Sequence, residues 1–132
     1  MSFDADGDAI DFWPAGDMTP FEADEPRVRG RWINGVAHPG RNEPTFSEWE
    51  IERAGVQDCH PYYEVAHVIE GELFVEAGGR TVRLQAGDAV RVKPGQVGRY
   101  WAPVYARIFG VDGPNPDALP SSDFEYWEID EA

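Results

Sequence analysis

Residues 60–73 read HPYYEVAHVIEGEL, a hydrophobic run that carries two histidines and a glutamate and breaks at Glu70-Gly71. From Glu64 to Ile69 the pattern alternates with a period of two, which is the signature of a β-strand. Glu64, Ala66 and Val68 share one face, and Val65, His67 and Ile69 share the other. Of the three chemical groups in the stretch, His60 and Glu64 therefore stand together and His67 turns away. His67 is expected to pack between sheets or at an interface between subunits.

Outward from this strand the same pattern repeats. Phe46 to Glu52 puts Trp49 and Ile51 on one face and three glutamates on the other, as in a half-buried antiparallel strand. A run from Gly71 to Glu76 meets a turn at Gly78-Gly79 and returns through Arg80 to Leu84. Turns at Ala86-Gly87-Asp88 and Pro94-Gly95 bracket Ala89 to Val92, and runs over Gly98–Ala102 and Val104–Val111 follow. Arg27 to Val36 reads as one or two further strands. No window holds a 3.6-residue apolar period, no repeat is visible, and 14 glycines and 11 prolines are spread along the chain. The pattern predicts one all-β domain, a sandwich or barrel, over residues 26–112. An acidic aromatic arm (1–25) precedes it. An acidic tail (113–132) follows, and both are rich enough in aromatic residues to lie against the barrel or a partner.

The formal charge is −14, but it sits at the ends. Residues 1–25 carry eight acids and residues 121–132 carry five, with no lysine or arginine in either; the centre is nearly balanced. Nothing here would displace phosphate counterions or hold an anionic membrane, so neither nucleic acid nor membrane is an expected partner. Cys59 is the single cysteine and can form no intrachain disulfide. The N-terminal residues show no signal-peptide pattern and no run has transmembrane length. The expectation is a soluble, cytoplasmic protein.

Residues 55–111 resemble the cupin superfamily. Its first motif matches at Gly55, His60, Glu64 and Gly71, with Asp58 where the first histidine usually stands. Its second motif matches at Gly87-Asp88 and Gly95. Lys93 takes the usual proline position, with Pro94 beside it, and Gly98 falls where the closing histidine would be. The stretches YYEVAHVIEGEL, AGDAVRVKPG and VYARIFGV are similar to the ethanolamine-utilisation Q-type and ureidoglycine-aminohydrolase-like groups. The resemblance implies a cupin double-stranded β-helix, a jelly-roll barrel that commonly forms homodimers. It also implies a metal site of three imidazoles and one carboxylate, suited to Fe, Mn, Ni, Cu or Zn. The ethanolamine-utilisation group has been linked to acyl-phosphate chemistry, and that link alone would suggest a phosphate ligand. Because the superfamily hosts many activities, it fixes no single one.

On that template His60 and Glu64 supply two ligands, Asp58 a possible third, and Gly98 none. A site with a divalent transition metal and a site with none both stay open. Without metal, His60 and Glu64 form a general acid–base pair. Tyr62 shares their parity and offers a phenol to a substrate. Tyr100 shares the face of Gly98 and borders the room left by the missing imidazole. Arg91 would give the pocket a cation if it faced inward; the outward placement is expected. Lys93 is an expected surface residue and His38 a turn residue. Two functions follow. One is a small enzyme acting on a polar organic metabolite through His60, Glu64, Tyr62 and Tyr100, by elimination, decarboxylation or isomerisation. The other is a non-catalytic ligand-binding or accessory cupin with a degenerate metal site.

Overall fold

The computed structural model describes residues 9–35 and 40–130. They form eight strands: β1 (Thr19–Pro20), β2 (Val28–Trp32), β3 (Thr45–Cys59), β4 (Glu64–Ala77), β5 (Arg80–Gln85), β6 (Ala89–Val92), β7 (Val97–Asp112) and β8 (Ser122–Glu128). All pairings are antiparallel.

Three strands are far longer than the sequence pattern suggests. β4 runs through Gly71, and β7 joins the two runs predicted on either side of Pro103. The interruptions are bulges rather than breaks. Between β3 and β7 the register shifts between Glu52 and Ala54, and between β4 and β7 it shifts between Gly71 and Phe74. Both shifts skip Pro103 and Val104 on β7, because proline has no N–H to give to a ladder. Arg53 (φ 49°) and Gly71 (φ 81°) take left-handed conformations at the matching points.

These kinks carry β3, β4 and β7 from one layer into a second. In one layer the second half of β7 lies between the first halves of β3 and β4, which pair outward with β2 and β6. The opposite halves pair with β8 and β5. The result is an all-β jelly-roll barrel. Its core draws Ile51, Val68 and Ile108 from one layer and Leu73, Leu84 and Tyr100 from the other, all at 2 % exposure or less. Full burial of each such apolar side chain stabilises the fold by roughly 1.5–3 kcal/mol.

Both flanking segments dock where a strand lacks a side chain. A Cβ on Gly30 would lie 2.3 Å from the Phe21 ring, and one on Gly55 would lie 2.1 Å from Trp127. Phe21 also meets Trp32, with ring centroids 5.4 Å apart. Trp127 carries Arg99 over its face at 4.5 Å. The segment before β2 and the strand β8 thereby line the same end of the barrel.

Candidate functional site

That end holds a cavity of about 480 Å³. Its floor is built from strand ends. β3 carries Asp58 one residue before its end, and His60 follows in the connection; Tyr62 and Glu64 lead into β4. β7 contributes both of its ends, Tyr100 near one and Asp112 at the other. In the ladder Asp58 lies opposite Gly98, and Glu64 lies opposite Asp112.

His60 is the hub. Its Nε2 lies 3.1 Å from Asp58 Oδ2 and 3.6 Å from Glu64 Oε2. Its Nδ1 lies 2.5 Å from Ser121 Oγ, a residue just before β8. Tyr62 is stacked flat against the imidazole, with centroids 4.7 Å apart and planes 13° apart. Burial alone would pull the imidazole pKa down. Hydrogen bonds from the imidazolium to Asp58 and Glu64, and the charge of both, outweigh burial and raise it to about 10. Burial and the neighbouring Glu64 raise Asp58, with His60 working against them. Burial lifts the Tyr62 phenol to about 12.

Tyr100 occupies the space beside Gly98. A Cβ on Gly98 would lie 3.0 Å from the Tyr100 ring and 3.2 Å from its hydroxyl. The vacancy expected at the missing imidazole is therefore filled. The hydroxyl donates to Glu64 Oε1 at 2.5 Å, leaving Oε2 turned towards His60. Burial, then the Glu64 charge, holds this phenol well above its usual range, so it stays a neutral donor.

Asp112 has no counterpart in the sequence reading, although its parity with Ile108 and Gly110 on β7 places it on the inward face. Its carboxyl is pushed well above the usual carboxylate range by burial and then by Glu64. Ser121 lies in the tail, where no pattern marks it. The other candidates fall away from the cluster. His67 is exposed on the outer face, opposite Phe109 and Ala89, and is not packed between the sheets. Arg91 is exposed and lies over the Tyr63 ring at 4.6 Å, and Lys93 is exposed. His38 falls outside the described residues.

Asp58, His60 and Glu64 each bring a ligand atom within 4.8 Å of the other two. One imidazole nitrogen and two carboxylate oxygens suit a first-row divalent ion. Nε2 faces both carboxylates while Ser121 holds the other ring nitrogen, which is the outer-shell arrangement that orients a metal-bound histidine. The donor set therefore fits a divalent cation on three protein ligands, with positions left for water or substrate.

Fold and motif together define the class of architecture: the chain has the cupin fold, a small all-β jelly roll, and residues 48–104 match the family described as the cupin domain. Solved structures agree on the fold. The EutQ protein of Clostridium difficile is 22 % identical with a TM-score of 0.58, over 66 % of this chain and 62 % of that one. The match thus spans less than two thirds of that protein. An RmlC-like cupin from Shewanella frigidimarina is 16 % identical with a TM-score of 0.64, over 80 % and 92 % of the two chains. KdgF from a Halomonas species is 17 % identical with a TM-score of 0.61, over 83 % and 98 %. No curated protein matches the chain in sequence. Among the described residues, no helix is long and apolar enough to cross a membrane.

Proposed function

We propose that this cupin is an enzyme that takes a small polar organic molecule into the barrel mouth and acts on it by metal-assisted acid–base chemistry. The observation that carries the reading is the convergence of Asp58, His60 and Glu64 on one point in the cavity floor. A cavity of this size with apolar walls and a few convergent polar groups is the usual form of a small-molecule site.

Asp58, His60 and Glu64 would hold the ion, and a bound divalent cation supplies Lewis acidity towards a substrate oxygen. The same three side chains otherwise hold a proton, since an imidazole raised to about 10 is charged at neutral pH. Ser121 and the Tyr62 ring fix the imidazole plane, and Tyr100 fixes the Glu64 carboxylate. Elimination and isomerisation need one proton removed and one delivered within such a site, and decarboxylation needs one delivered to the carbon that loses CO₂. A second reading, ligand binding without turnover, is favoured by one observation: Tyr100 closes off the position beside Gly98 where a further ligand would stand.

Titration of Mn²⁺ and Zn²⁺ into metal-stripped protein tests the site. One ion per chain, lost in both His60→Ala and Glu64→Gln, is the expected result. No binding, or binding that survives in both variants, would refute the metal-assisted reading.

A further inference from the structure

The charge around the cavity is one-sided. Asp58, Glu64 and Asp112 lie on its floor, and Glu22, Asp24 and Glu25 stand at its mouth on the segment before β2. Glu125 of β8 adds a seventh carboxylate, while no lysine or arginine lines the cavity among the described residues. His60 is the one basic group there. A divalent ion on the floor would offset two of these charges and leave the mouth uncompensated.

The imbalance is local, because arginines are close by in the chain and are used elsewhere. Arg27 pairs with Asp130 and Glu128, Arg29 with Glu50 and Glu52, and Arg31 with Glu48. Glu22, Asp24 and Glu25 have no ion pair with any described residue. Asp112 is the independent observation. It is 8 % exposed and lines the cavity, yet its carboxylate makes no hydrogen bond or ion pair with any described residue. A buried carboxylate opposite another in a ladder is costly unless something positive meets it.

The walls between floor and mouth are aromatic. Trp49 meets Tyr100 edge to face at 6.2 Å, and Phe21 and Trp32 flank the mouth. Ring faces attract cations, and with carboxylates they form the usual setting for ammonium recognition. An anionic metabolite would meet the carboxylates instead, so a phosphate or carboxylate ligand is disfavoured.

We infer that the cavity selects an organic cation, an amine or a quaternary ammonium compound, with the charged group held between the aromatic walls and the carboxylates of Asp112 and the mouth. The inference rests on the reading of the cavity as a ligand site and names the ligand class.

Calorimetric titration of the full chain with benzyltrimethylammonium, benzyl alcohol and benzoate tests it, since one ring then carries positive, neutral or negative charge. The quaternary cation cannot coordinate a metal, so runs with and without one equivalent of Zn²⁺ separate the organic site from the metal cluster. The cation should bind at least ~10-fold more tightly than the alcohol, with benzoate undetected and the preference shrinking in high salt. The E22Q/D24N/E25Q triple variant and Asp112→Asn should each weaken the cation several-fold while leaving the alcohol unchanged. The triple variant sits at the exposed mouth, away from the buried floor, and so tests the same charge requirement independently of Asp112. Benzoate or the alcohol binding as well as the cation would overturn the inference and leave the cavity as a ligand site. Failure of all three probes would overturn both readings. Cation binding unchanged in both variants would overturn the assigned position.

Discussion

Two acidic regions of this molecule sit on neighbouring faces of the same strands and are built in opposite ways. On the outer face of β2, β3 and β7, acids and arginines alternate. Arg29 lies between Glu50 and Glu52, and Glu48 takes 2.8 Å contacts from both Arg31 and Arg107. The Arg107 hydrogen bond leads in holding the Glu48 carboxyl below its usual range, with Arg31 adding to it against the cost of burial. On the cavity floor, by contrast, Glu64 faces Asp112 and Asp58 is close by, with one imidazole among them. The chain thus carries enough arginine to neutralise half-buried acids and does so on one face. Leaving the other face unpaired costs stability, as sites that await a ligand commonly do.

The sharpest way to break this contrast is at the hub. Replacing His60 by alanine should lower divalent-metal affinity by ~100-fold or more, since even outer-shell partners are worth 10–100-fold, read by titration of Mn²⁺ or Zn²⁺. The Ser121→Ala variant should lose about 10-fold in the same measurement. Next is Gly98→Val, which drives a side chain into the fully buried Tyr100 ring. A loss of about 1–3 kcal/mol in denaturant unfolding is expected. A neutral outcome would mean that Tyr100 swings aside and that the position beside Gly98 can open.

Asp112→Asn goes the other way. Its raised carboxyl pKa means that stability is lost as pH rises above 3.8 towards the native value, so removing the charge should raise the thermal midpoint of the metal-free protein at pH 8. His60 acts in the same direction at higher pH. With a native pKa of about 10 against 6.5, its contribution is complete below pH 6.5 and lost as pH rises through 10. The thermal midpoint of metal-free protein should therefore fall between pH 7 and 10, and His60→Ala should flatten that fall. The smallest effect belongs to the paired face, where Glu48→Gln should cost no more than about 1 kcal/mol. A larger loss there than on the cavity floor would end the comparison.

Much of the architecture was legible along the chain because strand alternation and turn chemistry are local. The period-two run at Glu64–Ile69 separates Glu64 from His67, and the turns at Gly78-Gly79, Gly87 and Pro94-Gly95 appear in the fold where the residues place them. Strand length was not legible. A proline or a glycine reads as a stop, yet in β4 and β7 the neighbouring strand skips the same position and the ladder resumes beyond it.

Asp58, His60, Tyr62 and Glu64 lie within seven residues, so their common face follows from chain geometry. Tertiary structure decided what surrounds them. Asp112 reaches the floor because β7 lies beside β4, and Ser121 reaches His60 because β8 returns to β3. The mouth acids arrive because Phe21 packs over Gly30. Asp112, Ser121 and the mouth acids lie outside the residues that match the cupin domain. Contacts between segments tens of residues apart leave no local period to read, and only the closing of the barrel brings their charges to one point.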